Sequence, residues 1–325
     1  MAKTSLIEGD VLVDVPSPQS GRARLRRGRS TDSGVRALRL PSGLPWILPS
    51  LVLCVGLIYY CVGYNGYIST LSWDGISANP PSVGYHNYTT GILHDPVFWG
   101  AIRHTAVFFV VTFVAQTFLG LLFAVLLHSK VKLGVVYKVI IFVPVMLAPA
   151  IMAPVFREMF SPPGQFNEVL HHLGLGFLSQ PWIGQSSTAL GVVAAITVWE
   201  WTGVNFVLYY AAIGQIDRSM IDAARIDGGG NIRVIVSIVW PSVRGTTFAL
   251  ATLSVIGALK TFDVPYLVTN TGPNDSTQFL GTYIYQMVVT LDHVGYAAAL
   301  SIVLLVLSLV LAIALQVRSR RGKLT

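Results

Sequence analysis

Glu200, Lys260 and Asp263 are the ionisable side chains that stand inside, or at the ends of, long uncharged stretches of this 325-residue sequence. In hydrocarbon each would cost about 2.5–3.5 kcal/mol if left unpaired, so each is expected to face a partner or a polar cavity. Two arrangements meet that need. One is a structural pair such as Glu200 with Lys260; the other is a polar path in which these three residues, with Asn205, Phe262 and Tyr266, exchange hydrogen bonds with a passing solute. Sequence motifs for covalent or metal chemistry are lacking. Lys260-Thr261 has no glycines at the spacing a phosphate-binding loop needs, and no HExxH, Cys/His cluster or nucleophile elbow occurs. No catalytic residue, metal site or resident cofactor is therefore expected. Cys54 and Cys61, seven apart in one apolar stretch, read as small buried residues on one helix face, with no disulfide implied.

The elements that must position these groups are apolar. Hydrophobic residues make up 53% of the sequence and charged residues 11%, less than half the usual share, and the mean hydropathy is +0.62. A chain so poor in charge cannot cover itself in water, which excludes general disorder and an ordinary soluble enzyme. Uncharged windows long enough to cross a bilayer recur, and they predict an all-α membrane protein with six spans at about 44–70, 104–127, 138–158, 187–214, 243–268 and 294–317. The third contains Pro144, Pro149 and Pro154, each of which removes a backbone hydrogen bond, so a kinked or opened helix is expected there. Whether this is an irregular packing helix or a hinge stays open.

The net charge of +7 is a topology signal. Lys and Arg fall in a tail at 1–43 (eight), after the second span (Lys130, Lys132, Lys138), after the fourth (Arg218, Arg225, Arg233, Arg244) and at 318–325 (four), which is 19 of the 22. Alternate connections thus hold nearly all the positive charge, which predicts both termini in the cytoplasm and places the loops around 74–100, 160–186 and 270–293 outside. No nucleic-acid partner is needed to explain the charge. The tail has no apolar core and reads as disordered, with anionic lipid headgroups as a further binding role. His104, Arg157 and Glu158 fall near outer span ends, where interfacial solvation accounts for them.

The connection at 215–241 carries the strongest pattern. Ser219 and Asp222 form a capping-box spacing that predicts a helix start. Gly228 to Gly230 end that helix in a sharp turn. A second amphipathic helix, with Ile232, Ile235 and Ile238 on one side, is expected to reach Pro241, where the fifth span begins. Asp222-Ala223-Ala224, Asp227-Gly228 and Ile238-Val239-Trp240-Pro241 resemble the cytoplasmic loop of the permease subunits of binding-protein-dependent ABC importers, in particular the sugar-permease branch that includes maltose-type and glycerol-phosphate-type transporters. Asp222 stands where that family usually has Glu. Asn87-Tyr88, Asp95 to Trp99, His104-Thr105, Gly272-Pro273 and Gly295-Tyr296 extend the resemblance over most of the chain after residue 44.

The resemblance implies a six-span importer permease of the bacterial cell membrane that is not itself an enzyme. The loop, through Asp222, Ala223, Ala224, Asp227, Gly228, Ile238 and Pro241, would dock on a separate ATPase subunit. ATP and Mg would be bound by a pair of those subunits, a homologous second permease would complete the channel, and an extracytoplasmic solute-binding protein would deliver a mono- to oligosaccharide. Glu200, Asn205, Lys260, Phe262, Asp263 and Tyr266 would then face sugar hydroxyls. Competing readings are an importer for glycerol phosphate and an ion-coupled secondary transporter in which Glu200 and Asp263 carry protons. A membrane-embedded enzyme lacks a catalytic cluster.

Overall fold

The computed structural model describes residues 44–129 and 132–321; the expected basic tail 1–43, Lys130 and residues 322–325 lie outside the described residues. Eleven α-helices account for most of the described chain: α1 (Leu44–Ile68), α2 (Pro96–His128), α3 (Gly134–Phe142), α4 (Pro149–Met159), α5 (Gln165–His172), α6 (Ala189–Ile213), α7 (Arg218–Ile226), α8 (Asn231–Val234), α9 (Trp240–Leu259), α10 (Leu280–Val289) and α11 (Val294–Arg321). Five helical runs are long and apolar enough to cross a membrane, and the bent pair α3 and α4 makes a sixth.

Local chemistry sets the boundaries. Asp95 caps α2, its Oδ1 accepting from the N–H groups of Val97 (2.8 Å) and Phe98 (3.3 Å), and Pro96 fills a first-turn position that needs no donor. The second span accordingly begins at Pro96, eight residues before the expected start. Its 33 residues reach about 50 Å, longer than the ~30 Å hydrocarbon core, which leaves room for Arg103 and His104 beyond the apolar zone.

The third span is broken. Pro144 sits in a single 3₁₀ turn, Leu147 and Ala148 are extended, and α4 starts afresh at Pro149, so the two pieces meet at 96°. Prolines at these positions cannot donate to the preceding turn, and the chain resolves the conflict by starting a second helix. The fifth span also departs from expectation. It runs unbroken from Asn231 through a π turn at Ile235–Val239 to Leu259, and stops there rather than at residue 268. Lys260 to Phe262 is non-helical, followed by a second π turn at Pro265–Thr269. Non-helical backbone at membrane depth is tolerated where it lines a cavity.

The most buried span is α6. It packs closely on α2 at Gly120, where a Cβ would stand 2.7 Å from that of Asn205, and on the end of α3 at Gly203, where a Cβ would stand 2.7 Å from the Ile141 carbonyl. Small residues at such crossings let backbones approach without a side chain between them. Three apolar clusters follow: Phe108, Met152, Ile196 and Phe279; Ala124, Phe206, Tyr209, Val239 and Leu250; and Ile92, Phe98, Leu280 and Leu300. Cys54 and Cys61 are free and exposed on α1, not buried as expected. The surface of α1 that carries them is apolar, as a lipid-facing helix requires.

Candidate functional site

The elbow at 215–241 starts at Asp217. Its Oδ1 accepts from the Ser219 N–H at 2.9 Å, so the helix cap is Asp217 and not the Ser219–Asp222 box expected from the sequence. That hydrogen bond holds the Asp217 carboxyl below the usual carboxylate range. Along α7, Ile221 and Ala224 turn inward onto the cluster of Phe206, Ile213 and Val234, while Met220, Asp222, Ala223 and Ile226 remain exposed.

The turn after α7 is built by glycine. Gly228 has φ +81°, in the left-handed region. The Gly229 N–H closes onto the Ala224 carbonyl at 2.9 Å, and a Cβ at 229 would stand 2.6 Å from that oxygen. Asp227 donates its N–H to the Ala223 carbonyl at 3.0 Å.

The helix beyond the turn corrects two expectations. Its buried face is Val234, Val239 and Val243, whereas Ile232 is 79% exposed and Ile235 and Ile238 are half-buried. The π turn inserts an extra residue into the repeat, which changes the spacing of the buried positions from four to five across it. Pro241 lies in the first turn of α9, where its missing N–H costs little, and the helix continues through it.

A cavity of about 440 Å³ opens between α2, α6 and the end of α9. Five of the six path residues expected from the sequence line it: Glu200, Asn205, Lys260, Phe262 and Asp263. Glu200 is 3% exposed, and among the described residues it forms no ion pair with Lys260; the structural-pair reading is not what the geometry shows. The Asn205 amide donates to the Trp201 carbonyl at 3.4 Å, while its buried Oδ1 has no protein partner. Tyr266, the sixth, lines a different cavity, of about 750 Å³, with Arg157 and Asn270.

Sequence reasoning passed over the wall contributed by α2. Thr112 and Gln116 line the smaller cavity, Gln116 donating to the Thr197 carbonyl at 3.1 Å. Gln116 is the one side-chain amide in the uncharged window 105–127, a signal the sequence did carry. Two residues assigned to interfacial solvation have specific partners instead. A ring nitrogen of His104 lies 3.1 Å from the Gln278 carbonyl, and Arg157 donates to the carbonyls of Val268 (3.2 Å) and Leu267 (2.6 Å).

At the end of the bundle away from the elbow, Asp95 joins three helices. Its Oδ2 accepts from the phenols of Tyr283 on α10 (2.5 Å) and Tyr296 on α11 (2.6 Å) while Oδ1 caps α2. Nearby, the Asn87 amide donates to the Ser69 carbonyl at 2.8 Å and the Tyr88 phenol to Ser69 Oγ at 2.6 Å. The arrangement as a whole offers an exposed lever at one end, a braced rim at the other, and between them a cavity rich in acceptors. Such a cavity suits a hydroxyl-bearing solute.

Comparison with known proteins fits this geometry. The family described as "Binding-protein-dependent transport system inner membrane component" matches residues 116–323. The "Probable ABC transporter permease protein YurN" of Bacillus subtilis is 30% identical over 271 residues, covering 82% of this chain and 92% of that one. The "Lactose transport system permease protein LacF" of Rhizobium radiobacter is 31% identical over 225 residues, covering 67% and 75%. A crystal structure of a bacterial alginate ABC transporter, in complex with alginate pentasaccharide-bound periplasmic protein, superposes with a TM-score of 0.69 at 20% identity over 85% of this chain and 94% of that one, which shows a shared fold.

Proposed function

We propose that this chain, which belongs to the family of binding-protein-dependent transport system inner membrane components, is one membrane-spanning half of an ATP-driven importer that carries a carbohydrate into the cytoplasm. A homologous permease completes the channel, a pair of ATPase subunits binds ATP and Mg, and an extracytoplasmic solute-binding protein delivers the sugar. The protein is a multi-pass component of the bacterial inner membrane, and its own residues hydrolyse nothing. The distribution of Lys and Arg supports a topology with both termini and the elbow in the cytoplasm.

One observation carries the reading. The elbow presents Met220, Asp222, Ala223 and Ile226 outward, while Ile221 and Ala224, on the inner side of the same helix, rest on the cluster that joins α2, α6 and α9. A push on the outer face is thereby delivered to the three helices that wall the cavity. Closure of the ATPase pair would move the elbow, and the elbow would bias the spans between inward-open and outward-open states. The fold supplies two breaks at membrane depth for such a motion, at Leu147–Ala148 and at Lys260–Phe262.

The carbohydrate assignment rests on the cavity and on the relatives. Glu200 and Asp263 offer the cavity carboxylate acceptors for hydroxyls, and the faces of Phe262 and Trp201 suit the C–H faces of a sugar ring. Lactose and alginate are named for a relative and a structural neighbour. The test is ATPase activity of the reconstituted complex with its binding protein, over a sugar panel and glycerol phosphate. Stimulation by a sugar supports the reading; stimulation by glycerol phosphate alone, or uptake that follows a proton gradient without ATP, overturns it.

A further inference from the structure

We infer that Lys138 is a positioning residue of the coupling mechanism: by holding Tyr210, it makes the inner half of the broken third span follow the elbow. This rests on the lever reading above and adds the third span to the elements that the elbow drives.

Lys138 stands on α3, whose Val135, Val139 and Ile140 are exposed apolar residues, as a lipid-facing helix requires. A lysine on such a helix ordinarily stretches its ammonium toward the headgroups. This one turns inward instead. It is half-buried, its Nζ donates to the Tyr210 hydroxyl on α6 at 2.7 Å, and the same nitrogen lies 4.0 Å from the centre of the Tyr210 ring. A charged donor makes a strong hydrogen bond to the phenol oxygen, and the negative face of the ring attracts the same charge. Apolar packing is non-directional and resists sliding weakly, whereas these two attractions give the link between α3 and α6 a direction.

Tyr210 also touches the seat of the elbow. Its ring lies 5.8 Å from that of Phe206, a buried member of the cluster on which Ile221 and Ala224 rest, and 5.7 Å from that of His128 in the last turn of α2. A displacement of α7 against that cluster therefore reaches Tyr210, and through it Lys138.

The two halves of the third span are tied to different walls. α3 is held to α6 by Lys138 and by the close approach at Gly203. α4 is held through Arg157 to the carbonyls of Leu267 and Val268, in the π turn that follows α9. The break at Leu147–Ala148 separates these attachments, and Pro149, the first residue beyond it, lines the smaller cavity. Motion of α3 against α4 is thus motion at the cavity wall.

The test uses the full complex in proteoliposomes, with its ATPase pair and binding protein, and reads the span directly. In a Cys54→Ser, Cys61→Ser background, spin labels are placed at exposed positions of α3 and α4 (Val135→Cys with Ile151→Cys) or of the elbow and α4 (Ser219→Cys with Ile151→Cys). Both distances are measured before and after a non-hydrolysable ATP analogue is added. In the parent both are expected to shift by about 1–2 Å or more, the scale of helix movements in switching proteins. In Lys138→Met the elbow distance should shift as in the parent while the α3 distance stays still, and Lys138→Arg, which keeps the cation and the donor, should restore the α3 shift.

An α3 shift in Lys138→Met equal to the parent's, or a lost shift that Lys138→Arg fails to restore, would overturn the inference. Loss of both shifts in Lys138→Met would mark a structural brace and overturn it as well, as would a parent in which the elbow distance shifts and the α3 distance does not. If neither distance shifts in the parent, it is the lever reading that fails.

Discussion

Gly228 gives the cleanest perturbation of the proposed lever. It has φ +81°, and a Cβ placed there would meet nothing within 4 Å, so a substitution adds backbone strain without a clash. A left-handed conformation costs an ordinary L-residue about 1–2 kcal/mol, and Asn much less. If the elbow must hold this turn to dock, Gly228→Val should weaken binding of the ATPase partner by about 5- to 30-fold, since 1.4 kcal/mol is a factor of about ten. Gly228→Asn should stay within about threefold. The assay is titration of detergent-solubilised permease with purified ATPase subunit. A parallel thermal melt should fall by only a few degrees, the cost of that strain alone, because a Cβ at Gly228 meets no neighbour. Two results would refute the reasoning: Val and Asn variants that bind alike, or a Val variant that binds as the parent does.

Four substitution sets probe the rest of the structure. Gly120→Ala drives a Cβ to 2.7 Å from Asn205 Cβ and should lower stability by about 1–3 kcal/mol in a denaturation series, while Gly100→Ala, in open space on the same helix, should not. Asp95→Asn, Tyr283→Phe and Tyr296→Phe should each cost about 1–2 kcal/mol, and a double-mutant cycle between Asp95 and either Tyr should show coupling; strict additivity would mean the two phenols do not depend on the carboxylate. Glu200→Gln, Lys260→Met and Asp263→Asn should each lower uptake, by about tenfold for a contact worth 1.4 kcal/mol, and unchanged uptake and stimulated ATPase in all three would remove the cavity from the path. Gln116→Leu, opposite them on α2, should lower uptake without altering ATPase docking; loss of docking as well would show that the defect reaches the elbow.

Much of the architecture was legible because lipid imposes it. Uncharged windows around residues 105–127 and 294–317 announce spans, since a charge there costs kilocalories, and the prolines near 144–154 announce a break for the same backbone reason. What escaped were features set by tertiary contact. The start of α2 at Pro96 depends on Asp95 serving as helix cap and phenol acceptor together, and no local pattern encodes Tyr283 and Tyr296 arriving from residues nearly two hundred positions away.

The π turn at Ile235–Val239 hid the buried face of the helix after the elbow, because hydrophobic periodicity assumes an α repeat and the turn adds a residue to it. Of the cavity residues, the ionisable ones declared themselves by their cost in an apolar window. Thr112 did not, because a hydroxyl on a span is most often satisfied within its own helix, as this one is by the Phe108 carbonyl. Tyr266 was expected on the same path as Phe262, but it sits in the π turn that follows the break after Leu259 and lines the neighbouring cavity.

The central claim is that this chain couples hydrolysis on a partner to sugar movement through its own spans. It is tested most directly by ATP hydrolysis and labelled-sugar uptake measured together in proteoliposomes that hold the permease pair, the ATPase pair and the loaded binding protein, with and without Ala224→Glu. Ala224 is half-buried beneath the elbow, so a carboxylate there should unseat the lever from the apolar cluster that joins it to α2, α6 and α9. The account predicts that loaded binding protein stimulates hydrolysis and uptake in the parent and that both are lost together in the variant. Sugar uptake that persists in the variant, or that proceeds in the parent without ATP, would contradict it.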